Sequence, residues 1–185
     1  MIPKKKFYFI RHGRTDWNDR HLCQGTRDIP LNAQGRQEIF SLCPLIITLP
    51  ISTVVSSPLV RAHESAKILL QHRHLPLVIL DDLKERNWGE KEGISSEEMY
   101  RFEENEPINP GFGIEPISAF NERVLSGLKN ALQYDCPLIV SHGRVFLSLT
   151  KMLGLTPIQQ IPNGVVIECT PTSTSWSLTF RATKE

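Results

Sequence analysis

The sequence predicts an α/β fold, a three-layer α/β/α sandwich with a mostly parallel central sheet. Short apolar runs of strand length alternate along the chain with segments whose apolar residues recur at helical spacing. The chain has 185 residues, of which 40% are hydrophobic and 22% are charged, a composition typical of a globular protein. This length suits one ordinary hydrophobic core, so we predict a single domain spanning residues 1–185.

The first half of the chain predicts three strands and two helices. Residues 7–10 are a short apolar run, and residues 52–56 are rich in β-branched side chains, so both are predicted strands. Residues 32–45 carry apolar side chains at helical spacing. The same spacing predicts a helix at 58–70, which begins with a proline, a residue that suits the first helical turn. A strand is predicted at 77–80.

The second half continues the alternation with an inserted loop. Helical spacing predicts helices at 95–104 and 117–133, and the Pro and Gly residues from 107 to 116 predict the loop between them. A further helix at 145–153 is predicted to end at a glycine. The strands predicted in this half are 138–140, 165–169 and 176–180.

Composition and patterning exclude several classes of protein. Lys and Arg number 21 against 20 Asp and Glu, so no nucleic-acid partner is expected. The apolar run near the start stops after four residues, which is too short for a secretion signal, and no stretch is long enough to cross a bilayer. We therefore expect a cytoplasmic protein with no membrane partner. The four cysteines lack C-x-x-C spacing, which favours free thiols over disulfides or a metal site.

Two histidines stand in matching contexts at predicted strand ends. His12 closely follows the first strand and precedes Gly13, while His142 closely follows the strand at 138–140 and precedes Gly143. Glycine lets the backbone turn sharply and approach a ligand closely. A lone strand-end histidine is most often an ordinary, satisfied polar residue. The matching pair favours a shared site instead.

A third strand end adds an arginine. Arg61 lies in the first turn of the predicted helix after the strand at 52–56, against the preference of the helix dipole for acidic residues there. An anion or a functional role would offset this placement. Two histidines and an arginine at strand ends of a doubly wound sheet predict a ligand site at the carboxyl edge of the strands.

These residues belong to ordered blocks that resemble the histidine phosphatase superfamily, also called phosphoglycerate mutase-like proteins. The blocks span nearly the whole chain. They are R-H-G-x-T-x-W-N at residues 11–18, Q-G-x-x-D-x-P-L at 24–31, S-S-P-x-x-R-A at 56–62, L-x-E-x-x-x-G-x-x-E-G at 83–93, V-S-H-G at 140–143, and Asn163.

The resemblance implies a phosphoglycerate mutase-like fold, a small phosphorylated substrate, and no cofactor or metal. It implies that His12 is a nucleophile that forms a phosphohistidine, with Glu85 as general acid and then base. Phosphoryl transfer needs positive charge around the phosphate oxygens, which Arg11 and Arg61 would supply, and His142 would complete the pocket if it is protonated or donates a hydrogen bond. The implied substrate contacts are Gly13, Asn18, Gln24, Gly25, Trp88 and Gly143. For Trp88, simple core packing is an equal alternative. Asn163 is open between substrate contact and holding a turn.

Departures from the family pattern bear on the choice between phosphatase and mutase. One branch places an aspartate after the second histidine, where this chain has Gly143, so that branch is disfavoured and Glu85 is expected to act instead. The chain also lacks the adjacent arginine pair that the mutases use, which favours the phosphatase branch. The roles of Arg14 and Glu115 are left open. Glu90 and Glu92 are expected to be solvated loop carboxylates.

Two alternatives accompany this hypothesis. One is mutase-type phosphoryl transfer between positions of a sugar or glycerate phosphate. The other is a binding module for phosphorylated ligands that has lost turnover.

Overall fold

Five of the six strands of the central sheet run in the same direction. The computed structural model describes residues 1–105, 111–156, 158 and 160–181. The strand order is β3-β2-β4-β1-β5-β6, and β5 runs opposite to the other five strands. This is the predicted mostly parallel sheet. The strands are β1 (Phe7–Arg11), β2 (Val54–Ser56), β3 (Leu77–Ile79), β4 (Leu138–Ser141), β5 (Val166–Pro171) and β6 (Trp176–Arg181).

Helices cover both faces of this sheet. One face packs against α2, α3 and α4, and the other against α6 and α7, with a separate apolar cluster on each side. The three-layer α/β/α prediction is therefore confirmed. The helices are α1 (Asp16–Asp19), α2 (Ala33–Ser41), α3 (Cys43–Thr48), α4 (Val60–Leu70), α5 (Ser96–Glu104), α6 (Ile117–Ala131) and α7 (Gly143–Met152).

The single helix predicted at 32–45 is wrong, because the chain forms two helices there. Leu42 is the C-cap of α2 and the N-cap of α3. Pro44 lies at the start of α3, where its missing N–H and fixed φ are tolerated, whereas it would break a longer helix. The break lets the chain bend while Ile39 and Ile46 stay buried in the same apolar cluster.

The helix at 117–133 ends two residues earlier than predicted, and β5 extends beyond its predicted end to Pro171. Residues 106–110 of the predicted loop lie outside the described residues. None of the described helices is both long and apolar enough to cross a membrane.

The register of three parallel strands positions the site. Arg11 of β1 lies opposite Ser141 of β4, and Ser56 of β2 lies opposite Val140 of β4. These strands therefore end at nearly the same level, and the residues that follow them meet at the carboxyl edge of the sheet.

Candidate active site

His12 and His142 lie next to each other where β1 and β4 end. The His12 N–H donates to the Ser141 carbonyl oxygen at 2.9 Å, which continues the strand pairing by one residue. The two imidazole rings are 5.2 Å apart between centroids. The side chains predicted to meet at this edge therefore do so, and both histidines are buried.

Two contacts define the proton position on His12. Its Nδ1 lies 2.8 Å from the Gly13 carbonyl oxygen, which can only accept, so Nδ1 carries the proton. Its Nε2 accepts from the Nε–H of Arg61 at 3.2 Å, so Nε2 carries the lone pair. Burial and the charges of Arg61 and Arg11 hold the His12 pKa well below 6.5. The imidazole is therefore neutral at pH 7, with a lone pair on Nε2.

Arg61 is held by its whole guanidinium group. Besides its contact with His12, it donates to the carbonyl oxygens of Arg27 and Gly25, both at 2.8 Å. Burial lowers the Arg61 pKa to about 10, which still leaves the group charged at pH 7. The three contacts fix the guanidinium plane beside His12 Nε2.

Three buried side-chain polar atoms among the described residues have no hydrogen-bond partner: Arg11 Nε, His142 Nδ1 and Gln24 Oε1. His142 Nε2 lies 2.8 Å from the Ser57 hydroxyl oxygen, and Arg11 also donates to the Ile161 carbonyl oxygen at 2.8 Å. A buried polar atom without a partner is costly and calls for an explanation. A bound anion would accept from Arg11 Nε, and from His142 in the tautomer that has its proton on Nδ1.

Glu85 lies at the same edge, in the loop after β3. One carboxylate oxygen accepts from the Arg86 N–H at 2.9 Å, and the other from the Arg144 N–H at 3.1 Å. A methyl group on Gly143 would lie 3.6 Å from Arg11 Nε and 4.0 Å from the Glu85 carboxylate. The Glu85 carboxylate and Arg11 Nε therefore both lie close to Gly143.

A second carboxylate anchors the Glu85 loop. Glu115 binds the guanidinium of Arg123 through both oxygens, at 2.6 and 2.8 Å, and also accepts from the Asn87 N–H. Arg123 in turn donates to the carbonyl oxygens of Asp82, Lys84 and Glu85. The open question about Glu115 is thus answered: it orients the arginine that holds the Glu85 backbone.

A cleft of about 600 Å³ opens over these residues. Of the predicted site residues, the cleft wall includes Arg11, Asn18, Gln24, Gly25, Arg61, Glu85, Trp88 and Gly143. Trp88 is almost fully buried in a small apolar cluster, so it packs as well as lining the cleft. His12 and His142 are buried and are not among the residues that line the cleft, but His12 Nε2 contacts Arg61, which does line it.

Gly13 does not line the cleft. Its N–H donates to the Ser65 hydroxyl, and a Cβ at this position would lie 2.5 Å from the Gly35 carbonyl oxygen. Only glycine allows the backbone after His12 to pack this closely against α2. Asn163 lines the cleft and donates its side-chain amide to the His12 carbonyl oxygen at 2.7 Å. It therefore contacts the turn that contains His12, and holding a turn was one of its two predicted roles.

The expectation that Glu92 is a solvated carboxylate is wrong. Its side chain is 7% exposed. One oxygen accepts from the N–H and the hydroxyl of Thr26, at 2.7 and 3.0 Å, and this supports the turn that contains Gly25. Glu90, by contrast, is exposed, as expected.

The sequence blocks did not show which partners the site residues use. Ser57 and Ser65 were within or beside a quoted block, but the pattern did not indicate that they bind His142 and Gly13. No sequence block indicated a role for Arg123 or Arg144. Their contacts depend on how two distant loops meet, which no local pattern encodes.

The described residues include no group of three or more His, Cys, Asp or Glu side chains able to hold a metal ion. The described cysteines are free thiols, as expected from their spacing. Independence from metal remains a prediction.

A model of the histidine phosphatase superfamily, branch 1, matches residues 7–182. The chain belongs to this superfamily. The superfamily relatives include the "uncharacterized phosphatase PhoE" of Bacillus subtilis, 37% identical over 152 residues that cover 80% of this chain and 77% of the relative. They also include a "probable phosphoglycerate mutase GpmB" of Escherichia coli, 29% identical over 160 residues that cover 80% of this chain and 74% of the relative.

Solved structures agree with the superfamily assignment. A "putative alpha-ribazole-5'-P phosphatase" from Escherichia coli matches with a TM-score of 0.79 and 26% identity, over 95% of each chain. The resemblance stated from the sequence blocks, including the phosphoglycerate mutase-like fold, is therefore confirmed.

Proposed function

We propose that the chain is a phosphomonoesterase that hydrolyses a small phosphorylated metabolite through a phosphohistidine on His12. The observation that carries this proposal is the lone pair on His12 Nε2, which lies beside the Arg61 guanidinium and close to unpartnered polar atoms of Arg11 and His142. A neutral imidazole amid fixed positive charge suits a nucleophile that attacks a phosphate dianion. The phosphatase names of two similar proteins support it.

In the first step, His12 Nε2 forms a bond to phosphorus while the bond from phosphorus to the ester oxygen breaks. The carboxyl group of protonated Glu85 gives its proton to the leaving alkoxide. The Gly13 carbonyl oxygen, which accepts from Nδ1–H, stabilises the positive charge that develops on the imidazole ring. Arg11 and Arg61 neutralise the equatorial oxygens.

In the second step, water attacks the phosphohistidine. Glu85, now a carboxylate, takes a proton from that water, the bond between nitrogen and phosphorus breaks, and inorganic phosphate leaves. The neutral imidazole is restored. General acid and base help of this kind contributes roughly 10²–10⁴-fold to the rate.

The test is a trapping experiment with labelled phosphate ester. We expect turnover of 4-nitrophenyl phosphate, insensitivity to chelators, inhibition by vanadate, and an acid-labile phosphoryl label on the protein. His12→Ala should abolish both the label and the turnover, while His72→Ala, which changes a histidine exposed near the end of α4, should keep both. Turnover lost on chelation, or a label that survives in His12→Ala, would refute the mechanism.

The mutase alternative is supported by one similar protein, the one named a probable phosphoglycerate mutase. It predicts movement of label between the positions of 3-phosphoglycerate with little release of inorganic phosphate. A phosphatase releases the label as inorganic phosphate. The ratio of released to transferred label therefore separates the two functions. The binding-module alternative predicts bound ligand with no label on His12 at all.

Glu85 is tested through the dependence on the leaving group. Glu85→Gln should slow an alkyl phosphate by about 10²-fold or more, and 4-nitrophenyl phosphate by much less, because nitrophenolate leaves without a proton. An equal loss on both esters would remove Glu85 from the role of general acid.

A further inference from the structure

The walls of the cleft outside the phosphate-binding end are electrically balanced. Of the described residues that line the cleft, the fully charged ones are Arg11, Arg14, Glu38, Arg61, Glu85 and Arg144. Arg11 and Arg61 surround the proposed phosphate site. Of the remaining four, Arg14 is paired with Glu38, Arg144 is paired with Glu103, and Glu85 is the proposed general acid.

Each of the two remaining arginines is also paired with a carboxylate that is already in place. Arg14 Nε lies 3.7 Å from Glu38, and its Nη1 lies 3.5 Å from Asp19. The Arg14 N–H also donates to Glu38 at 3.3 Å. A second anion on the substrate would have to compete with both carboxylates for this guanidinium.

Arg144 is likewise engaged. It forms an ion pair with Glu103 at 2.6 Å, its guanidinium lies 4.6 Å from the centre of the Tyr100 ring, and its backbone N–H holds Glu85. The side chain of Arg144 is 16% exposed and that of Glu103 is 20% exposed, so solvent screens this pair only partly. An anionic substituent near Arg144 would therefore meet the carboxylate of Glu103 as well as the arginine.

The uncharged part of the wall is apolar and aromatic or carries neutral hydrogen-bonding groups. Leu22, Trp88, Met99, Tyr100 and Leu147 provide apolar surface, and Gln160 donates to the Tyr100 hydroxyl. Such a surface gains free energy by covering an apolar group, and loses it when it desolvates an unpaired charge.

We infer that the cleft selects phosphate monoesters whose alcohol carries no negative charge and presents an apolar or aromatic face. The inference deepens the proposed function and rests on it. It concerns only the leaving group: both positive charges of Arg11 and Arg61 are used by the phosphate that is transferred, and no uncompensated cation among the described wall residues is left for a second anion.

The test compares three aryl esters at pH 8. The esters are phenyl phosphate, 4-carbamoylphenyl phosphate and 4-carboxyphenyl phosphate. The last two have nearly the same shape and differ by one negative charge. Because a para-carboxylate makes the phenol a better leaving group than unsubstituted phenol, chemistry alone would place the carboxylate ester above phenyl phosphate.

We expect kcat/KM for the carboxylate ester to fall below that of phenyl phosphate, and to lie about fivefold or more below that of the carbamoyl ester. A smaller ratio, or a carboxylate ester above phenyl phosphate, would overturn the inference. Failure of the proposed function has a different signature, because none of the three esters, nor 4-nitrophenyl phosphate, would then be hydrolysed.

Two variants test whether the carboxylates paired with Arg14 and Arg144 cause this discrimination against a charged alcohol. Glu38→Gln leaves Asp19 as the remaining carboxylate beside Arg14, and Glu103→Gln removes the carboxylate paired with Arg144. Each variant should therefore raise kcat/KM for the carboxylate ester relative to the carbamoyl ester by about threefold. Glu97→Gln is the matched control, because Glu97 lies on the same helix as Glu103 but pairs with the exposed Arg101. It should leave the ratio unchanged. A ratio that stays the same in all three variants would also overturn the inference.

Discussion

The two ends of the cleft are built in different ways. At the proposed phosphate end, His12, Arg61 and His142 are at most 2% exposed. His12 and His142 directly follow β1 and β4, and Arg61 lies in the first turn of α4, the helix that follows β2. Beside this end, Glu85 lies in a loop held by side-chain ion pairs: Arg123 with Glu115, and Arg144 with Glu103. One end is part of the sheet edge, and the other is assembled from loops.

This difference separates the two tasks of the proposed enzyme. The phosphate group is common to all substrates, and a rigid sheet edge suits a recognition task that never changes. The leaving group varies between substrates, and loops held by ion pairs can differ without disturbing the core. We therefore expect substitutions at the sheet edge to affect all esters alike, and substitutions at the loop end to depend on the leaving group.

The largest effect is expected at the sheet edge. Arg61→Lys cannot reproduce the three separate contacts of the guanidinium with His12, Gly25 and Arg27, so kcat/KM should fall by about 10²–10³-fold for alkyl and aryl esters alike. Arg73→Lys is a matched control, because Arg73 also donates three hydrogen bonds, all to carbonyl oxygens, and does not line the cleft. A loss of less than tenfold would show that Arg61 is not part of the phosphate site.

A smaller effect is expected at the loop end. Glu115→Ala leaves Arg123 without its bidentate partner. Because both side chains are about one-fifth exposed, we expect the free energy of unfolding to fall by about 1–2 kcal/mol. Turnover of alkyl phosphates should fall several-fold more than that of 4-nitrophenyl phosphate, since Glu85 loses its support. Urea unfolding measures the change in the free energy of unfolding, and kinetics on the two esters measure the change in turnover.

The control is Glu97→Ala, which removes an exposed ion pair and should change the free energy of unfolding by less than about 0.5 kcal/mol. Equal losses of turnover on both esters in Glu115→Ala would mean that the ion pair with Arg123 does not act through Glu85.

The smallest effect is a pH dependence of stability that comes from the sheet edge. Burial and neighbouring arginines hold the pKa values of His12 and His142 well below 6.5, so the unfolded chain binds more protons in mildly acidic solution. Stability is therefore present above pH 6.5 and is lost as pH falls. Between pH 7.5 and 5.5 each histidine should cost roughly 1 kcal/mol of unfolding free energy. His12→Asn should reduce this pH dependence, and an unchanged slope would contradict the assignment.

The sheet edge could be predicted from the sequence, while the loop end largely could not. Apolar runs show where β1 and β4 end, and a parallel sheet brings such ends together, so His12 and His142 could be expected to meet. The split between α2 and α3 follows from a proline that lies inside an otherwise helical pattern. The spacing of residues within short segments is therefore enough to predict where these strands and helices end.

The loop end depends on contacts between residues far apart in sequence. Glu103 pairs with Arg144, and Glu92 with Thr26, across separations that no periodicity reports. The expectation of a solvated Glu92 is wrong for this reason. A glutamate in a loop is usually solvated, and only its distant partner Thr26 shows that this one is buried. The direction of β5 was not foreseen either, since hydrophobic runs do not encode strand direction.

In the free protein, the electron pair that would attack phosphorus is already shared with a proton of Arg61. A neutral alkylating agent entering the cleft would find that nitrogen shielded, since nothing draws the guanidinium away from it. A phosphate dianion competes for the same proton and so uncovers the nitrogen as it binds. Under the proposed mechanism, the residue that recognises the substrate thus also keeps the nucleophile unreactive until the correct group arrives.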